Sequence, residues 1–236
     1  MNQEDIELLI MANEPISVGN IKVYPMSIRE IAKFGYVKYN QAINIFCMPE
    51  SEIHKLVGGN IFSMEFLRMN TVFDEGIRAM IKDFLSLVCK TKVTYSEKDY
   101  SFIVGGEPID KGNIDELKSI IRKINCTEET DSESTENPSN ARARQLLEKR
   151  RKLRNKIIKH QKENNLLKVH EIVSAVAVSQ KMSINQVMDY NLYQLMDQFV
   201  RLISKETYET NMEALLHGAD SKNIEITHWI QNKKSN

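Results

Sequence analysis

Five histidines and three cysteines are the side chains of this sequence best suited to metal ligation or nucleophilic catalysis, and their spacing favours neither. His54, His160, His170, His217 and His228 are scattered, with no His-Glu-x-x-His and no Cys-x-x-Cys. Zinc sites usually take at least one closely spaced ligand pair from a single turn or helix face, so structural placement is expected for all five histidines. A nucleophilic pair such as Cys89 with His54 could assemble in space. However, Cys89 follows Phe84, Leu85, Leu87 and Val88, a context that predicts a buried structural thiol. The glycine pairs Gly58-Gly59 and Gly105-Gly106 lack a following Gly-Lys-Ser/Thr and any G-x-G-x-x-G frame; turns are expected at both. The carboxylates are dispersed and give no pair for acid/base work. No catalytic, cofactor or metal-binding residue is assigned, and the reading is that of a protein that is not an enzyme.

The densest charge is a basic run. Between Arg142 and Lys162 stand ten bases, among them Arg150, Arg151, Lys152 and Arg154, opposed only by Glu148. The residue types are strong helix formers without Gly or Pro, and Leu146, Leu153 and Ile157 make a narrow apolar stripe. A helix over 141–163, roughly 35 Å long, is predicted. Three uses stay open for it: a solvated spacer, a dock for an acidic partner, or a phosphate-binding face. Aromatics do not interleave with the bases, and an acidic stretch precedes them, so a nucleic-acid partner is not expected.

These features need elements to hold them. Residues 126–140 carry Glu128, Glu129, Asp131, Glu133 and Glu136 among Ser and Thr, followed by Asn137-Pro138-Ser139-Asn140. With almost nothing apolar to bury, they read as an acidic flexible linker. Before it, residues 1–125 read as a small α+β unit. Ile21-Lys22-Val23-Tyr24 alternates as a strand, and Ser27 with Glu30 forms a capping box. Residues 36–48 and 64–90 have helical periodicity, 92–95 and 100–104 form a β-hairpin, and a helix over 113–124 closes the unit. Beyond the basic helix, 164–236 reads as a helical unit. There Val169, Ile172, Val173 and Val176 share a face, Ser183 and Gln186 form a second capping box, and Asn191 caps the longest helix. Leu192, Leu195, Met196, Phe199 and Leu202 form its apolar stripe, continued by Met212, Leu215 and Leu216 until Gly218. This stripe is the candidate partner-binding surface if it is partly open. The helix–short helix–helix order of 169–200 imitates a DNA-reading motif, but Asp189 and Asp197 would face the phosphates, so ordinary three-helix packing is expected. The tail with Trp229 is expected to fold back on these helices. The fold class is α+β, predominantly α-helical.

Composition agrees with a binding protein of ordinary globular type. Lys plus Arg and Asp plus Glu are 32 each, so no net charge draws the chain to nucleic acid or membrane. The odd, widely spaced cysteines point to a reducing compartment. Met1-Asn2-Gln3-Glu4-Asp5 has neither the basic nor the apolar region of a signal peptide, and no run approaches a membrane span. Abundant Asn, Lys and Ile suggest an AT-rich gene, as in low-GC bacteria and their viruses.

Two stretches carry a resemblance. Ile21 through Ile31, followed by Gly35-Tyr36 and Tyr39, resembles the opening of tail assembly chaperone-like proteins from phages of low-GC Gram-positive bacteria. Gln186 through Leu202, with Tyr208, Asn211, Ala214-Leu215-Leu216, Gly218-Ala219 and Trp229 behind it, is similar to the C-terminal part of that family. The resemblance implies a non-enzymatic factor of the host cytoplasm that holds the helical tape measure protein during tail assembly. The tail tube protein is a second candidate partner, self-association is a further option, and no cofactor is implied. The rival readings are a nucleic-acid-binding protein using 141–163, a structural component of the virion tail and, last, an unrecognised enzyme.

Overall fold

The computed structural model describes residues 2–57, 61–127, 167–218 and 228–230. The acidic linker beyond Thr127, the basic helix with Arg150, Arg151, Lys152 and Arg154, the Gly58-Gly59 pair and residues 224–227 of the tail lie outside the described residues. Among those described, the chain is predominantly helical with two small antiparallel sheets, an α+β arrangement as expected.

Helix α1 (Gln3–Met11) begins where the Asn2 side chain accepts the Asp5 N–H at 2.7 Å. Glu4 and Asp5 in its first turn complement the positive end of the helix dipole. Strands β1 (Ile16–Val18) and β2 (Ile21–Val23) pair through Ile16↔Val23 and Val18↔Ile21. Both strands alternate buried, exposed, buried, which is what a hairpin with one face on a core requires. Gly19 turns the hairpin at φ +56°, a conformation that costs glycine nothing.

The Ser27–Glu30 capping box is present and opens α2 (Ile28–Phe34). Gly35, at φ +99°, separates it from α3 (Tyr36–Phe46). On α3, Tyr39, Ala42, Ile43 and Phe46 are buried at helical spacing. The Tyr39 ring packs edge-on against Phe34 and Phe84, and its hydroxyl donates to Asn125 Oδ1 at 2.9 Å. Helix α4 (Glu50–Val57) was not anticipated, and 64–90 is two helices rather than one, α5 (Ser63–Phe73) and α6 (Glu75–Val88). The break is Asp74, whose carboxylate accepts the Ile77 N–H at 2.9 Å as the cap of α6. The expected hairpin is β3 (Val93–Ser96) with β4 (Ser101–Val104), extended by a two-residue β5 (Glu107–Pro108) across the Gly105-Gly106 turn. Helix α7 (Ile114–Ile124) closes this half, burying Ile114, Leu117, Ile120, Ile121 and Ile124.

In the C-terminal half, α8 (Val169–Gln180) ends at Lys181, which takes the left-handed conformation at φ +55°. Helix α9 (Ile184–Val187) carries the Ser183–Gln186 capping box, and α10 (Leu192–Leu216) carries another between Asn191 and Gln194. Compositional contrast suggested two compact units on either side of 126–163. Instead, Ile172, Val173, Val176, Ala177, Val187, Leu192 and Leu195 belong to the same apolar core as Ile10, Val23, Ile31, Tyr39, Phe84 and Ile121. The described halves share one interior.

The seam between them is polar as well as apolar. The first N–H groups of a helix have no partner within it. In α2 those of Ile28 and Arg29 donate to the carbonyls of Tyr190 (2.8 Å) and Met188 (2.9 Å) just past α9. Arg29 adds an ion pair to Asp189 at 2.7 Å and a bond to the Asn185 carbonyl at 2.8 Å. Asn191 is fully buried. Its Oδ1 accepts the Gln194 N–H, while its Nδ2 donates to the Ile10 carbonyl at 2.8 Å and to Asn13 Oδ1 at 2.7 Å. Gln194 Nε2 reaches the Met11 carbonyl at 2.7 Å. One side chain therefore starts α10 and finishes α1.

Replacing Asn191 with Ala removes the cap of α10 and both Nδ2 bonds to α1 and its following loop, an expected loss of about 1–3 kcal/mol, read from urea unfolding. Glu30 supplies a pH test. Burial pushes its carboxyl up, but the Ser27 N–H and hydroxyl and the Lys90 ammonium at 3.3 Å outweigh this and hold it below the usual carboxylate range. A depressed folded-state value contributes stability at neutral pH that is lost as pH falls through that range. The stability gap between the wild type and Glu30→Gln is therefore expected to be widest near neutrality and to close in acid.

Candidate partner-binding surface

The expected stripe on α10 divides along its length. Leu192 is 9% exposed and Leu195 fully buried, both in the shared core. They hold the fold and are not a face that a partner can reach. Met196 and Phe199 pack against the edge of that core, and Leu202 is half-buried. Past Leu195 no residue of α10 is buried, although at about 1.5 Å per residue the helix runs on for several more turns. Its C-terminal part projects from the core.

The stripe is not continuous either. At 3.6 residues per turn, Leu192, Leu195, Met196, Phe199 and Ile203 share one side of α10. Tyr208, Met212 and Leu215 fall on the opposite side, with Leu216 on its flank. The His228 ring packs on Tyr208 at 5.1 Å and stacks on Trp229 at 6.0 Å, so the described end of the tail folds back on this second face. Leu216 is still 82% exposed.

Helix α5 has the same two-sided character, which the sequence reading missed. Met64, Leu67 and Thr71 point inward and are buried. On the far side, at successive helical positions, lie Phe62 (59% exposed), Phe66, Met69 (43%) and Phe73 (87%). Leu56 and Val57 at the end of α4 are exposed too. The signal was legible: two apolar sets interleave between 62 and 73, more than one core-facing stripe accounts for. Lys111 borders this face. Its ammonium lies 5.8 Å from the centre of the Phe62 ring and pairs with Glu65 at 2.5 Å, and this contact holds the Glu65 carboxyl below its usual range.

Of the residues considered for chemistry, Cys89 lies in the core, whereas His228 packs on the second face of α10. Burial pushes the Cys89 thiol up to about 12, so it is neutral at physiological pH, in keeping with its reading as a structural thiol. Among the described residues no three His, Cys, Asp or Glu side chains converge to hold a metal ion, and no helix is long and apolar enough to cross a membrane. The three helices that imitate a DNA-reading motif pack on one another, and the N-terminal end of α10 is covered by α1 through Asn191 and Gln194.

A family comparison bears on the C-terminal part. Residues 159–234 match the model of the YomV second domain, a stretch that includes α8, α9 and α10. That family is phage-associated, of the Bacillus phage SPBc2 type, and the match covers less than half of the chain. No curated protein and no solved structure matches.

The division of the α10 stripe is testable by circular dichroism. Leu195→Asp buries an unpaired carboxylate and is expected to cost about 4 kcal/mol or more, enough to unfold the protein. Leu216→Asp is expected to change stability by less than about 0.5 kcal/mol.

Proposed function

We propose that this protein is a non-enzymatic phage tail assembly factor that holds the helical tape measure protein in the host cytoplasm until the tail tube encloses it. The observation that carries the reading is the open second apolar face of α5, turned away from the core, together with the exposed Leu216 near the end of α10. Exposed aromatic and methionine side chains at helical spacing suit the apolar side of another helix, which they would shield from aggregation. The phage-associated match over 159–234 and the resemblance of both terminal stretches to tail chaperones support the same reading. The tail tube protein is the alternative partner. The partner is envisaged lying along the open surface of Phe62, Met69 and Phe73, with Leu216 at a separate contact, rather than against Leu192 and Leu195.

Co-expression tests this. The wild type is expected to keep the tape measure protein soluble and to co-purify with it. Phe73→Asp and Leu216→Asp, each at an exposed position, are expected to leave the fold intact and to abolish retention together. A protein that neither solubilises nor retains the tape measure protein, yet occurs stoichiometrically in mature particles, would be a structural tail component. Sub-micromolar binding to generic duplex or single strand at about 150 mM salt, weakening steeply as salt rises, would instead favour the nucleic-acid reading of 142–162.

A further inference from the structure

The cleft beside α7 has a feature that the assembly reading does not use. It has a volume of about 460 Å³ and is walled by Asn44 of α3, Cys47 and Met48 of the following loop, Glu52 of α4, Arg122 of α7 and Thr127. Lys118 lies one turn before Arg122 on the same face of α7 and is 1% exposed. Its ammonium, with three N–H donors, has one acceptor, the carbonyl of Met48 at 3.2 Å. The Arg122 Nε–H is buried with no acceptor at all. Among the described residues, neither cation has a carboxylate within 4 Å.

Buried charges are normally paired, because an uncompensated one costs several kcal/mol. Lys118 is such a charge: its burial and, less strongly, the half-buried Arg122 beside it both push its ammonium below the usual lysine range. Among the described residues, the groups near them do not neutralise them. Cys47 lies close enough to feel both cations, but burial pushes its thiol up to about 12, so it carries no charge at neutral pH. Glu50 and Asp115 act on Lys118 only from a distance and are themselves exposed. Among the described residues, Glu52 is the one carboxylate at the cleft wall, and it is exposed. Among the described residues, the cleft is an open space walled by the half-buried Arg122 guanidinium, whose enclosed Nε–H has no acceptor, with Asn44 and Thr127 adding polar groups.

We infer that the cleft between α4 and α7 binds a small oxyanion, a phosphate or a carboxylate, with the Arg122 guanidinium as its main donor and the Lys118 ammonium as the charge beneath it. Such an anion supplies the charge-assisted acceptors that both cations lack. The site is distinct from the apolar faces of α5 and α10, and its occupancy does not depend on what those faces bind.

Thermal unfolding of the full chain decides the matter, using inorganic phosphate, sodium acetate and N-acetyl-glutamate amide, each against sodium chloride at matched ionic strength. At ten times its dissociation constant, a bound anion is expected to raise Tm by about 3–6 °C. Amide resonances of Asn44, Cys47 and Thr127 are expected to move in the same titration. A response to phosphate alone supports the site and marks the ligand as a phosphate; a response to the two carboxylates supports it and points to an acidic side chain. Arg122→Gln, at a half-buried position, is expected to abolish the rise, and Lys118→Met to weaken it at least tenfold in dissociation constant. A Tm rise no greater than that in chloride, or one that persists in Arg122→Gln, overturns the site. If either variant fails to fold, the wild-type resonance shifts decide by where they fall.

Discussion

A single buried amide holds the chain's distant parts in register. Asn191 has one acceptor and two donors on its side chain, and each is used: Oδ1 starts α10, while Nδ2 takes the Ile10 carbonyl and the Asn13 side chain. A buried polar group without partners costs about 1–3 kcal/mol, so this residue tolerates the core only when α1, α10 and the loop after α1 are all in place. Around it, the first N–H groups of α2 are met by carbonyls following α9. Helix ends that elsewhere would turn to water are here matched to one another across the seam. Apolar packing supplies the bulk of the stability, but this polar match selects which ends meet.

Local signals in the sequence were read well where a short-range rule governs them. The capping boxes at Ser27–Glu30 and Ser183–Gln186 and the cap at Asn191 rest on side chains bonding the backbone three residues on, and all three appear in the structure. The hairpin over 93–104 is fixed by alternation and a short connection. Ile16-Ser17-Val18 before Gly19-Asn20 obeys the same rule and was overlooked, as was the Asp74 cap that divides 64–90.

What eluded the sequence depends on phase and on distance. Met212 and Leu215 continue the α10 pattern by eye, yet they lie half a turn out of step with Leu192 and Leu195. The acidic and basic blocks after Cys126 suggested separate units, but composition reports where a chain is solvated, not where its core ends. Val173 and Val176 needed neighbours from the other side of that break, and pairing over such a span leaves no mark on local periodicity. The cleft at Arg122 was also invisible, because an unmet donor is defined by what surrounds it.

The bond between Asn191 and the Ile10 carbonyl spans 181 residues, and this has a consequence for biogenesis. A ribosome adding about 5–20 residues per second exposes Ile10 roughly 10–40 s before Asn191 is made. During that interval, α1 and the start of α2 have no native partner for their free ends, and the apolar side of α1 has nothing from α10 to lie against. Closing so long a loop is entropically demanding and slow relative to helix formation. The native seam therefore closes only after Asn191 has been made, and until then the free end of α1 stays open to water.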